Sequence, residues 1–261
     1  MQSQPLFIIG APRSGTTFLC HVLNRHPLIE LTNECRIFVL IKQQIELART
    51  RPDLLDREFT KLFTSFMRTH TGEMVEKFYR RTLGITAPIW GDKHPPYADP
   101  CVLSGRTGSR PNIPQSGSCL SLIRDTLPHA KFIHILRDPL EVAESLVRKS
   151  WTPSVEDGVK VWRQYIHEIE TFFAAMDPEQ HITIAYEELL TEPELASARI
   201  GRFLSLADCG PFADFLFGQR QSPTPFSDPV SDLSMTYRRW SEPRIEDERN
   251  DSEVYRVSDP N

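Results

Sequence analysis

Hydrophobic positions along the chain change their period several times, and each change predicts an element. Leu6-Phe7-Ile8-Ile9 is a short, unbroken apolar run closed by Gly10, the pattern of a strand buried on both faces of a parallel sheet. From Thr16 the spacing turns helical, with Phe18, Leu19, Val22 and Leu23 on one face, until His26-Pro27 stops it. Between residues 35 and 81 the pattern is amphipathic and helical, interrupted at Arg51-Pro52 and again at Thr71-Gly72. Its apolar stripe, which includes Leu54, Leu55, Phe59, Leu62, Phe63 and Phe66, is expected to pack these helices into one layer. Residues 87–92 predict a second short strand and 131–136 a clearer one. Pro139 then fits the first position of a helix, where its missing N–H would have had no partner anyway. Helical spacing resumes over 155–176, a strand fits 181–185, and another helix fits 193–206. This alternation predicts an α/β fold with a mainly parallel sheet and helices on both faces, one domain over residues 1–209.

Two stretches depart from this rhythm. Residues 95–118 are rich in Gly, Ser and Pro and read as a loop. Residues 210–261 are polar, carry several prolines and show no sustained period, which predicts a lid-like extension or a partly disordered tail.

Composition narrows the function. A chain of 261 residues with 39% hydrophobic positions can bury one sizeable core. Its 30 basic against 35 acidic residues, a net charge of −5, give no general basic field for a nucleic-acid backbone. The longest apolar runs, such as Ile37-Phe-Val-Leu-Ile41, fall far short of the roughly 20 residues that span a bilayer, so no membrane segment is expected. Residues 1–5 lack the charged and apolar regions of a secretory signal, which predicts a cytoplasmic location. Five cysteines, widely spaced and without a CxxC pair, argue against a disulfide framework or a structural zinc site and are expected as reduced thiols.

The chemistry concentrates after two of the predicted strands. Gly10-Ala-Pro-Arg13-Ser14-Gly15-Thr16-Thr17 joins the first strand to a helix, a context in which backbone N–H groups form an anion cradle. The spacing is that of a Walker A loop, but Thr16 stands where that loop has its phosphate-contacting Lys. The cation is instead Arg13, whose guanidinium suits bidentate contact with phosphate oxygens. After the 131–136 strand come Arg137 and Asp138, with Ser145 eight residues beyond Arg137 on the following helix. Ligands bind outside the carboxyl ends of strands in open α/β sheets, so Arg137 and Ser145 can meet a second phosphate that the first loop does not reach. Two phosphate sites imply a bis-phosphorylated nucleotide. A rival reading takes Asp138 as a Mg²⁺ ligand in an ATP-dependent small-molecule kinase, and a third takes the fold as a nucleotide-binding module without catalysis.

With these residues the chain resembles the sulfotransferases that use 3′-phosphoadenosine 5′-phosphosulfate (PAPS). In that family the loop seen here as Pro12-Arg-Ser-Gly-Thr-Thr17 binds the 5′-phosphosulfate, and the pair seen here as Arg137 and Ser145 binds the 3′-phosphate. The likeness is greatest to the protein-tyrosine sulfotransferases, whose loop also carries Arg, followed by His-Pro and Glu-x-Arg, here His26-Pro27 and Glu34-Cys35-Arg36. It extends through Trp90-Gly-Asp-Lys93, similar to that group's catalytic Lys segment, and through Tyr186-Glu-Glu-Leu-Leu190, covering roughly residues 5 to 206. The resemblance implies PAPS as donor, adenosine 3′,5′-bisphosphate as product and no metal. It places Ser14, Gly15, Thr16, Thr17 and Tyr186 beside Arg13, Arg137 and Ser145 in nucleotide binding.

Sulfuryl transfer is an in-line displacement in which negative charge builds on the leaving oxygen, and Arg13 and Lys93 are the candidate cations. A phenol, with a pKa near 10, is helped by a positioned carboxylate; Glu34 is the expected base, with Arg36 orienting it or contacting substrate. The expected partner is a hydroxyl-bearing acceptor, a peptide tyrosine or a small phenol, with neither nucleic acid nor membrane. The oligomeric state is left open, a homodimer included. His134 reads as a hydrogen-bonded core residue and His94 as a second candidate base. Arg57 matches one of the basic side chains with which the tyrosine enzymes hold acidic residues around their target, whereas Leu40 stands where another is expected. The 104–118 stretch looks like an insertion on the acceptor side, where long loops form specificity walls.

Overall fold

The structure, a computed structural model, describes residues 3–50, 56–103 and 117–221. Its strands β1 (Gln4–Ile9), β2 (Ile29–Asn33), β3 (Ile89–Lys93), β4 (Lys131–Leu136) and β5 (His181–Ala185) form one parallel sheet in the order β2-β3-β1-β4-β5. The central strand β1 is fully buried from Leu6 to Ile9, the physical reason for its unbroken apolar run. Leu6 and Ile8 join an apolar layer with α1 (Thr16–Leu23), α7 (Tyr186–Thr191), α8 (Pro193–Leu204) and α9 (Gly210–Gln221). Phe7 and Ile9 join the opposite layer, with α2 (Ile37–Thr50), α3 (Arg57–Lys77), α4 (Leu120–Thr126), α5 (Pro139–Arg148) and α6 (Val155–Ala174). There Phe7 packs against Phe38 and Phe132 at ring separations of 5.7 and 5.8 Å. The chain is thus an α/β fold with helices on both faces of a parallel sheet.

The connection from β1 leads outward to β2, and that from β4 leads the other way to β5, so the sheet's winding reverses between β1 and β4. Such a reversal opens a crevice at the carboxyl ends of the two strands. Both phosphate-binding candidates follow these strand ends.

Several sequence expectations are corrected. Strand β2, at the sheet edge, was not anticipated. Helix α3 runs unbroken through Thr71-Gly72, because Gly72 is a contact point: a Cβ there would lie 2.0 Å from the carbonyl oxygen of Thr126. The close approach to α4 fixes which side of α3 is buried, the line Met67, Thr71 and Val75. Phe59, Leu62 and Phe66 lie to one side of that line and face outward, with Leu62 70% exposed, while Phe63 packs against the core, so the predicted stripe meets the packing face only at Phe63. Leu54 and Leu55 lie outside the described residues. The stretch from Gly210 begins with α9, whose Phe212 and Leu216 are fully buried, while 222–261 lie outside the described residues. His26 stops α1 and ties it to this last helix: its Nδ1 accepts from the Leu28 amide at 3.1 Å, and its Nε2 lies 3.0 Å from the Asp208 carbonyl. Among the described residues no helix is long and apolar enough to cross a membrane, and none of the five cysteines is in a disulfide.

Candidate active site

The loop after β1 turns through a 3.1 Å hydrogen bond from the Ser14 amide to the Ala11 carbonyl and ends at Gly15, the N-cap of α1. Gly15 has a φ of 93°, and a Cβ on it would sit 2.3 Å from Cδ2 of Tyr186, so both backbone and space require glycine. No side chain caps the amides of α1's first turn, which point out of the helix as donors for an anion. Thr16 is buried and Thr17 half-buried at this end, and the Ser14 hydroxyl is fully buried without a hydrogen-bond partner. An orphaned hydroxyl beside uncapped helix amides fits a phosphate-class group.

The second candidate phosphate site closes onto the first. Arg13 donates from Nε to Ser145 Oγ on α5 at 3.0 Å, and Arg137 Nη1 donates to the Arg13 carbonyl at 3.3 Å. The Arg137 guanidinium lies over the Tyr186 ring at 4.4 Å, and that ring packs edge-on against Phe18 at 5.7 Å while covering Gly15. Arg137 also pairs with Glu141 one turn into α5 at 2.5 Å. Asp138 is the N-cap of α5 and accepts from the Leu140 and Glu141 amides at 2.9 and 3.0 Å. One oxygen of its carboxylate, Oδ1, is therefore engaged with the helix terminus.

The third group lies on the other side of the β1 loop. Lys93 ends β3 and pairs in register with Ile8, two residues before Gly10, and with Asn33 of β2. Its Nζ, almost wholly buried, donates to Glu34 Oε1 at 3.2 Å, and Arg36 Nη2 lies 3.4 Å from Oε2 of the same carboxylate. Burial alone would raise the Glu34 carboxyl, but the charges of Lys93 and Arg36 outweigh it and hold the group below its ordinary value. Glu34 and Arg36 adopt φ values of 65° and 64°, left-handed conformations that non-glycine residues seldom hold. His94 is buried with Nδ1 unpartnered, and burial, reinforced by Arg36 and Lys93 against the pull of Glu34, lowers it to about 3. It is neutral. His134 is buried beside Thr183, lowered by burial to about 4, with Nε2 unpartnered.

Arg57 is not brought to this group. It is exposed in the first turn of α3, which packs at the far end of α2, where Thr60 Oγ1 donates to the Ala48 carbonyl at 3.2 Å. That lies about 17 Å by helical rise from Ile37, beside Arg36. Leu40, one turn beyond Arg36, is exposed. The segment read as an insertion lies mostly outside the described residues, but its neck is fixed: the Gly117 amide donates to Cys101 Sγ at 3.0 Å, and Lys42 Nζ donates to the Gly117 and Ser118 carbonyls, both at 2.6 Å.

Sequence reasoning missed Asp92. It is fully buried on β3 and accepts from Thr32 Oγ1 at 2.7 Å, the Cys35 amide at 3.1 Å and Tyr97 Oη at 2.8 Å. A carboxylate inside a buried strand segment was the available signal, overshadowed by its neighbour Lys93. Glu141 was missed for a simpler reason: it looks like any exposed helix carboxylate.

Comparison with known proteins agrees with this geometry. Residues 5–209 match the family model described as Sulfotransferase family. A putative protein-tyrosine sulfotransferase of Caenorhabditis briggsae is 26% identical over 212 residues, 78% of this chain and 66% of that protein. Protein-tyrosine sulfotransferase 1 of Danio rerio is 26% identical over 213 residues, 77% and 53% respectively. The chain thus spans between half and two-thirds of the length of these relatives. Among solved structures, the sulfotransferase domain of the Synechococcus PCC 7002 olefin synthase superposes with a TM-score of 0.59 at 20% identity, covering 90% of this chain and 82% of that one. The sulfotransferase domain from the curacin biosynthetic pathway gives 0.55 at 18%, covering 86% and 80%. With its family match spanning most of its length, the chain belongs to the sulfotransferase family.

Proposed function

We propose that the protein transfers the sulfuryl group of PAPS to a hydroxyl acceptor, with a phenol, either a peptide tyrosine or a small aromatic, as the preferred class. The observation that carries this reading is the register of β3, β1 and β4, which sets the Glu34–Lys93 pair on one side of the β1 loop and the Arg13–Ser145 contact on the other. The relatives named as protein-tyrosine sulfotransferases support the phenolic acceptor.

When bound, PAPS supplies the sulfuryl group and departs as adenosine 3′,5′-bisphosphate. In this reading the α1 amides, Ser14, Thr16 and Thr17 hold its 5′ side, and Arg137 and Ser145 its 3′-phosphate. Arg13 and Lys93 offer fixed cations where negative charge grows on the leaving oxygen. Glu34 takes the acceptor's proton. Its pairing with Lys93 and Arg36 keeps it ionised and makes it a weak base, which suits a phenol near pKa 10 better than a far less acidic aliphatic alcohol.

The test is titration calorimetry with adenosine 3′,5′-bisphosphate beside ATP plus Mg²⁺, followed by turnover of PAPS with a phenol and with an aliphatic alcohol. Binding of the bisphosphate at about −8 kcal/mol, the micromolar range, with ATP much weaker and the phenol turned over faster, is the expected result. Tighter binding of ATP would overturn the donor, and preference for the alcohol would overturn the acceptor class.

A further inference from the structure

Glu34 and Arg36 flank Cys35 in a tripeptide whose two outer residues both hold left-handed backbone conformations. Neither is glycine or asparagine, so each conformation is strained, and the tripeptide keeps this shape only if something outside it grips the backbone. Its carboxyl end enters α2, where the Arg36 carbonyl accepts from the Leu40 amide at 3.2 Å, and two further grips come from the end of β3. The Glu34 amide donates to the Lys93 carbonyl at 2.8 Å, and the Cys35 amide donates to the Asp92 carboxylate at 3.1 Å. Asp92 is itself held by Thr32 of β2 and by Tyr97 in the short 3-10 turn Pro95–Ala98.

A fully buried carboxylate is a costly way to fasten a sheet. Burial raises the Asp92 carboxyl despite the hydrogen bonds from Thr32, Cys35 and Tyr97 and the charge of Lys93. An apolar residue would serve packing alone better. What the carboxylate does, and an apolar residue cannot, is bind the one amide that lies between Glu34 and Arg36.

We infer that Asp92 is a positioning residue for sulfuryl transfer: through the Cys35 amide it fixes the backbone that aims Glu34 at Lys93 and Arg36 at Glu34. The inference rests on the reading of Glu34 as the base, and it predicts more than loss of activity. When the grip is released, Glu34 drifts from Lys93, from Arg36 and from the His94 ring, the groups that face it, and the acid limb of the pH profile moves up toward the ordinary carboxylate value.

The test uses Asp92→Asn in the full chain, with Tyr97→Phe and Thr32→Val as milder variants that each remove one support of Asp92, and with Glu34→Gln in parallel. Three readouts are taken: bisphosphate affinity, kcat with its pH profile on a phenol, and amide hydrogen exchange over residues 33–37. In Asp92→Asn we expect bisphosphate affinity within about threefold, kcat lower by about 10- to 100-fold as expected for a misplaced group, an acid limb shifted upward, and faster exchange at Cys35. The milder variants should show the same pattern at smaller amplitude, and they carry the test if Asp92→Asn does not fold. Unchanged exchange at Cys35 in folded variants overturns the proposal, as does reduced kcat with an unmoved acid limb. Retained turnover in Glu34→Gln would instead remove the base assignment, and exchange at Cys35 would still report on the grip.

Discussion

Arg13 and Ser145, 132 positions apart in the chain, meet in a 3.0 Å hydrogen bond from Nε to Oγ that joins the loop after β1 to helix α5. The two candidate phosphate sites therefore share a contact before any nucleotide arrives. Removing Ser145 affects both. Ser145→Ala is expected to weaken adenosine 3′,5′-bisphosphate about 10-fold, and Arg13→Ala to lower kcat about 10²- to 10³-fold, the usual cost of a lost preorganised donor. Residues in direct contact couple, so the double variant should fall short of the sum of the single effects. A double-mutant cycle in binding and turnover checks this; strict additivity would mean the contact does not persist in the complex.

Glu34→Gln keeps the shape of the side chain and removes its charge. Turnover of a phenol should fall about 10²-fold or more, in the range of general-base catalysis, with bisphosphate binding within about twofold. The wild-type rate should hold steady from pH 8 down through 5, because the carboxyl lies below its ordinary value and the nearest histidine, His94, sits at about 3. A rate limb near pH 6.5 would point to histidine and against Glu34.

Glu141 occupies Arg137 in the free protein. A 3′-phosphate arriving there meets a carboxylate of the same sign. Glu141→Gln is expected to tighten bisphosphate binding several-fold at low salt, with the gain shrinking as salt screens the exposed charges. Titrations at two ionic strengths decide it, and an affinity unaffected by the substitution would show that the phosphate leaves this ion pair intact.

Gly15→Ala places a methyl group against the Tyr186 ring on a backbone that L-residues resist. The ring must move, and with it the surface on which Arg137 rests. Bisphosphate affinity should drop at least 10-fold from combined strain and lost positioning. Tyr186→Ala combined with Gly15→Ala should recover part of the loss in stability, read from urea midpoints, because only the clash is relieved.

Burial holds His94 at about 3 and His134 at about 4, well under the value near 6.5 of a solvated ring. Below pH 6.5 the unfolded chain therefore binds protons that the folded chain refuses. Stability from these rings is complete above pH 6.5 and declines as the pH falls, by about 1.4 kcal/mol per pH unit for each ring, until the folded-state values are reached. Urea unfolding at pH 7.5 and 5.0 measures the slope. His134→Asn should reduce it.

Much of the fold was legible because its signals are local. The apolar run of β1, the strand before Arg137 and Pro139 at the head of α5 each declare an element without help from the rest of the chain. The nucleotide loop was legible for the same reason: its function is backbone geometry, and glycine at 15 records that geometry in the sequence. Edge strand β2 is five residues with polar positions at Glu30, Thr32 and Asn33, too short to establish a period. Gly72 reads as a helix breaker until Thr126 is seen against it. The outward direction of Leu62 and Phe66 depends on where α4 sits, information carried some fifty positions downstream. Asp92 is the clearest loss. Its partners come from two separate segments, Thr32 to Cys35 and the turn that holds Tyr97, and the backbone conformation it restrains falls on Glu34 and Arg36, residues whose identity gives no hint of it.

The bond between Cys101 and Gly117, with Lys42 gripping the adjacent carbonyls, means that the ends of the intervening stretch are held by the scaffold. Lengthening such a stretch costs little, since doubling a closed loop adds only about 0.6 kcal/mol. Segments of different size and composition can then be exchanged at this position while β3 and α4 keep their places.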